Sequence, residues 1–244
     1  AADGAWSVTT ADVDGDGDMD VLSASFYDDK IAWYENDGSE IFTAHTITTA
    51  ANAARSVTTA DVDGDGDMDV LSASANDDTI AWYENDGSEN FTEHTVSTGA
   101  DYATSVTTAD VDGDGDMDVL SASAVDDTIA WYQNDGSENF TEQTISTTAD
   151  GAYSVSTADV DGDGDMDVLS ASSNDDTIAW YENDGSENFT AHTITTAANS
   201  SPRSIATADV DGDGDLDVLS ASSDDDKIAW YENDGSETFI AHTI

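Results

Sequence analysis

The feature that most narrows what this chain can fold into is a block, ADVDGDGDMDVLSAS followed by IAWYENDGSE and a phenylalanine, that recurs almost verbatim along all 244 residues. Its first aspartate falls at Asp12, Asp61, Asp110, Asp159 and Asp209, at intervals of 49, 49, 49 and 50 residues, and Trp33, Trp82, Trp131, Trp180 and Trp230 keep the same register. Five repeats therefore fill the chain, at about 1–49, 50–98, 99–147, 148–197 and 198–244, as one domain with no separate linker. The extra residue sits in TTAANSSPRSI (195–205), which holds Pro202, as expected of a surface connection. A unit of this length cannot bury a core alone and must stack on its neighbours.

Within each unit SVTTADV, DVLSAS, TIAWYEN and FTxHTI are short, rich in β-branched and aromatic residues, and bounded by Asp, Gly and Asn clusters. Four strands per repeat follow, the last two joined by a tight hairpin at Asn36-Asp37-Gly38-Ser39-Glu40. No apolar spacing settles near 3.6, so helix is not expected. The prediction is all-β, a five-bladed β-propeller with four antiparallel strands per blade. Ile31 and Trp33 would face one neighbouring blade, Ala32 and Tyr34 the other, with the Ser, Thr and Ala of the first two strands near the axis. No strand is left over to complete a blade from the opposite terminus. Closure would rest on packing of first against last blade, or the chain is a segment of a longer array, or it closes by associating with its own copies.

Composition removes several functions. Four Lys and Arg against 55 Asp and Glu give a formal charge of −51, which repels nucleic acid and anionic headgroups. No run is long enough to span a membrane, and the chain opens on Ala1 without a signal segment, as expected of a processed or excised piece of a larger protein. With no cysteine there is no disulfide, thiolate chemistry or Cys-ligated zinc.

Between strands one and two every repeat carries DVDGDGDMD, or DVDGDGDLD in the last. Crowding carboxylates into one turn is unfavourable unless a cation sits among them. Ca²⁺ suits such a turn, because it takes six to eight oxygen ligands in a flexible geometry. In the first repeat Asp12, Asp14 and Asp16 would supply carboxylates, Asp18 its carbonyl and Asp20 a fourth carboxylate, with Gly17 making the turn. The same set recurs as Asp61, Asp63, Asp65, Asp67 and Asp69; as Asp110, Asp112, Asp114, Asp116 and Asp118; as Asp159, Asp161, Asp163, Asp165 and Asp167; and as Asp209, Asp211, Asp213, Asp215 and Asp217. An EF-hand is excluded by Ser23 at the twelfth position and by β flanks. About five Ca²⁺ are expected, one per blade. They would offset only ten negative charges, and high external salt would screen the rest.

The loop resembles that of the FG-GAP/VCBS repeat family, D-x-D-x-D-G-x-x-D, over all five units. That resemblance implies structural calcium sites between the first two strands of propeller blades, as in integrin α-subunit heads, and a setting in secreted lectins, polysaccharide lyases or appended modules. Seven blades in integrins against five here leaves blade number to this chain alone, and the Phe-Gly…Gly-Ala-Pro signature is weak or missing.

The repeats differ chiefly in two connections that share the face opposite the acidic loops. One position reads Trp6, Arg55, Thr104, Tyr153 and Arg203; the other reads Phe26-Tyr27, Ala75-Asn76, Ala124-Val125, Ser173-Asn174 and Ser223-Asp224. Lys30 and Lys227 end the second connection, so all four cations lie on or near this face. Trp6, Phe26, Tyr27, Lys30, Arg55, Tyr153, Arg203 and Lys227 are thus the candidate ligand face. Aromatic rings with isolated cations suit stacking on sugars while pairing with a carboxylate or sulfate. His45, His94, His192 and His242, replaced by Gln143 in the third repeat, sit one per blade and suit hydrogen bonding better than catalysis. The expected function is a calcium-stabilised, secreted or cell-surface binding module for carbohydrate or protein. The alternatives are a polysaccharide lyase or hydrolase using the same face, and a passive spacer in a larger surface protein.

Overall fold

A computed structural model describes residues 2–198, 201–224 and 226–244. Residues 199 and 200, within the stretch that holds the one-residue insertion, lie outside the described residues. The described chain is all-β: five separate four-stranded antiparallel sheets, each in simple up-and-down order. In blade 1 the strands are β1 (Ala5–Ala11), β2 (Asp20–Ser25), β3 (Lys30–Asn36) and β4 (Phe42–Thr48), and the other blades repeat them. No helix long and apolar enough to cross a membrane is present among the described residues.

The pleat explains how one strand serves two cores. Successive side chains point to opposite faces, so Trp82 and Ile80 join the core shared with blade 3, while Ala81 and Tyr83 join that shared with blade 1. The second strand, DVLSAS, is buried throughout in blades 2, 3 and 4, which its small side chains allow. First strands of consecutive blades pack on each other near the axis, and the fourth strands lie outermost and are mostly exposed.

One irregularity recurs. In every blade the first strand carries a β-bulge, as between Ala54 and Ser56, which pair with Ser74 and Ala73. The residue left unpaired is Trp6, Arg55, Thr104, Tyr153 or Arg203. A bulge re-aims the side chain it carries, and here it is one of the positions at which the repeats differ most.

Candidate functional site

Two sites occupy opposite ends of the blades. At one end lie the acidic loops. The first, third and ninth aspartates converge: one carboxylate oxygen from each of Asp12, Asp14 and Asp20 lies within 4.8 Å of the others, as do those of Asp61, Asp63 and Asp69, of Asp110, Asp112 and Asp118, and of Asp159, Asp161 and Asp167. Such groups could hold a metal ion. The loop is shaped by its own side chains: Asp12 Oδ2 accepts the N–H of Gly17, Asp14 Oδ1 that of Asp16, and Asp16 Oδ1 that of Asp18. Gly17, with φ of 95°, makes the turn in a region L-residues avoid. The fifth loop keeps the same bonds through Asp209, Asp211 and Asp213. Asp16 and its counterparts each hold the backbone amide two residues on. Asp18 leans on the hairpin of its own blade, where a Cβ on Gly38 would collide with its carboxylate.

The ninth aspartate is the deepest. Asp69 is fully buried, and its two oxygens accept the N–H groups of Val62 and Asn85 at 2.9 and 2.8 Å. Burial pushes Asp69, Asp118 and Asp167 up to about 6, against the pull of those backbone bonds. Burial, then neighbouring loop carboxylates, also raises Asp14, Asp63, Asp161 and Asp211. A cation among these groups would relieve both penalties. The second oxygens of Asp12 and Asp61 are buried and without a hydrogen-bond partner, so the donor set fits a hard, oxygen-seeking ion.

At the other end the bulge residues meet over the axis. Arg55 is 7% exposed, its guanidinium 4.7 Å from the Trp6 ring, 5.1 Å from Phe26, 4.6 Å from Tyr102 and 5.8 Å from Tyr153. It donates to the hydroxyls of Tyr153, at 2.9 Å, and Tyr102, while its Nε is buried and unpartnered. Among the described residues no carboxylate pairs with it. Arg203 is exposed and lies 4.3 Å over the Tyr153 ring. A cavity of about 300 Å³ opens between Trp6, Arg55, Tyr102, Val125, Tyr153 and Arg203.

The structure thus brings together Trp6, Phe26, Arg55, Tyr153 and Arg203, with Tyr27 edge-on to Phe26 and 73% exposed. Lys30 and Lys227 stand apart: Lys30 pairs with Asp28 at 2.9 Å, and Lys227 lines a different cavity beside Ser222 and Tyr231. Tyr102 escaped the sequence reading because it precedes the bulge by two residues; the signal was one tyrosine where other repeats have Gly4, Ala53, Gly151 and Ser201. The histidines do hydrogen-bond: His94 Nε2 and Glu84 Oε2 lie 2.7 Å apart, and the imidazole stacks on Trp82. In blade 3 both partners change together, to Gln133 and Gln143, and Gln133 instead donates to Asp112.

Radial four-stranded blades, each with an aspartate-glycine loop between its first two strands, define an acidic-loop repeat propeller. The FG-GAP-like repeat model matches residues 12–72, 61–121, 110–170, 159–220 and 209–244, and the chain belongs to that family. No curated protein shows a significant match. Among solved structures, a functionally unknown protein from Desulfotomaculum acetoxidans is similar with a TM-score of 0.69 at 12% identity, over 100% of this chain and 70% of that one. The Vibrio cholerae biofilm matrix protein Bap1 is similar with a TM-score of 0.59 at 18% identity, over 100% of this chain and 40% of that one. A Lactobacillus plantarum protein is similar at 0.58 and 15%, over 88% and 61%. At these identities the likeness is one of fold.

Proposed function

We propose that this chain is a calcium-stabilised extracellular binding module whose bulge-residue face takes an acidic saccharide. In each blade the five loop aspartates would hold one Ca²⁺, the first, third, fifth and ninth through carboxylates and the seventh through its carbonyl. When bound, the ion supplies positive charge that neutralises the loop and fixes it against the third strand. The chain's own part is to hold the ninth aspartate dry between two backbone amides, and the first three in a turn that cannot relax away.

The observation that carries the ligand reading is an exposed guanidinium, Arg203, stacked over Tyr153 beside the caged Arg55. Arg55 is a buried cation with an unpartnered Nε and, among the described residues, no carboxylate against it, in a protein with 55 acidic residues. Beside it Arg203 offers an exposed guanidinium, and Trp6, 50% exposed, and Tyr27 offer ring faces. A sugar ring stacks on such a face while its carboxylate or sulfate takes the guanidinium. Secreted or cell-surface residence accords with this ligand class and with calcium supply. The neighbouring biofilm matrix protein supports the reading only through its shared fold.

Titration calorimetry with uronic-acid and sulfated oligosaccharides, in calcium and moderate salt, tests this. Binding should appear and fall at least about tenfold in Arg203→Ala and in Trp6→Ala. Absence of heat with every acidic oligosaccharide, or binding indifferent to both substitutions, refutes it.

A further inference from the structure

Consecutive blades meet in four joints of one construction. In the first, Val13, Leu22, Ile31 and Trp33 on the trailing face of blade 1 pack against Val57 and Tyr83 on the leading face of blade 2. The next three repeat it with equivalent residues. Three hydrogen bonds recur at every joint. In the first they run from Asn85 Nδ2 to the carbonyl of Val13, from the N–H of Val57 to Ser7 Oγ, and from the N–H of Ala53 to Asp29 Oδ1. Each has three counterparts farther along the chain.

Blade 1 has the same leading face and blade 5 the same trailing face, and neither is covered. Val8 is 68% exposed where its counterpart Val57 is 4% exposed. Ile228 is 47% exposed where Ile178 is fully buried. Met19 and Phe42 on blade 1 and Val210 on blade 5 are exposed as well. Among the described residues none of the three bonds runs from blade 1 to blade 5. Asn36 Nδ2 reaches the carbonyl of Met19 in its own blade, and the amides of Val8 and Gly4 find neither Ser204 nor Asp226. Isolated exposed apolar residues are ordinary, but these reproduce a complete packing face.

We propose that the two bare faces form an interface between copies of this chain, the trailing face of blade 5 in one copy receiving the leading face of blade 1 in the next. The occupant follows from the contacts already made: what covers this trailing face everywhere else is a leading face, and a second copy offers one uncovered. The contact is heterologous, so copies close into a ring or extend as a filament according to the rotation it imposes. Because each copy carries −51, association strengthens with salt and with calcium.

Sedimentation of the full chain in calcium and high salt, over a wide concentration range, tests this. The mass should rise above that of one chain as concentration increases. Val8→Gln spoils only the leading face and Ile228→Gln only the trailing face, and neither changes charge. Each alone should associate at least about tenfold more weakly, whereas an equimolar mixture should recover a one-to-one pair through the two intact faces. Both residues are exposed in the single chain, so melting curves in calcium, taken at a concentration where the parent is a single chain, should match the parent and exclude misfolding. A single-chain mass at every concentration overturns the proposal, and protected Val8 and Ile228 amides in that species would show blade 5 folding onto blade 1 of the same chain. Variants that associate like the parent, or a mixture that stays monomeric, overturn it too.

Discussion

The side-chain amide of Asn85 in blade 2 donates to the carbonyl of Val13, inside the acidic loop of blade 1, at 2.9 Å. The backbone N–H of the same asparagine donates to Asp69, the deepest carboxylate of its own loop. One residue therefore ties the loops of two blades together, and the order of one loop bears on the packing of the next. The relation recurs with Asn134, Asn183 and Asn233.

Removing that tie should be measurable. Asn85→Ala leaves the Val13 carbonyl buried without its donor, at a cost of about 1–3 kcal/mol. Asn36, which among the described residues reaches no other blade, should cost less when changed to Ala. Urea midpoints of the two variants, compared in calcium at low protein concentration, check the order.

Calcium should be counted as well as removed. Equilibrium dialysis should give about five ions per chain, and Asp69→Asn should lose one, because an amide replaces a charged oxygen and can no longer accept both N–H bonds of Val62 and Asn85. Chelation at low salt should lower the melting temperature by many degrees, since a ligand that binds only the folded state stabilises it.

Without calcium, stability should fall as pH rises from about 4 to about 6. Burial holds Asp69, Asp118 and Asp167 at about 6 in the folded chain, above the carboxyl range of an unfolded one. Across that window the folded state carries more protons, so raising the pH removes stability that is fully present below the unfolded value. With calcium present the ionised form is the one the metal needs, so the melting increment it supplies should shrink as pH drops through about 6. Thermal melts in chelator and in calcium across this window give both slopes.

The Glu84–His94 pair over Trp82 should couple weakly. Both side chains are about one-third exposed, so a double-mutant cycle to glutamine should yield less than about 1 kcal/mol, declining with salt. The double variant recreates the Gln133 and Gln143 of blade 3 and should fold normally. Trp82→Ala, which empties a fully buried site, should instead cost about 3–5 kcal/mol.

The blades could be read from the repeat because strand alternation is a local property. Ile80 and Trp82 on one side of a strand, Ala81 and Tyr83 on the other, follow from a two-residue period and need no knowledge of neighbours. The acidic loop was equally legible, because aspartates alternating with glycine within one turn cannot lie far apart. Its division of labour was not: the burial of Asp69 depends on Asn85, sixteen residues away, and the lean of Asp67 on the hairpin at Gly87.

By itself the sequence determined the number of blades, the four strands in each and where carboxylates gather, since all of these lie within one copied unit. Tertiary structure decided the rest. A bulge turned Arg55 inward, so that rings from blades 1, 3 and 4 close around it, while Arg203 at the equivalent position of blade 5 stays exposed. The arrangement of blades left Val8 and Ile228 bare although their repeats elsewhere are buried. The physical reason is the same in both cases: identical units have identical local preferences, and only their places around an axis make one side chain differ from its copies.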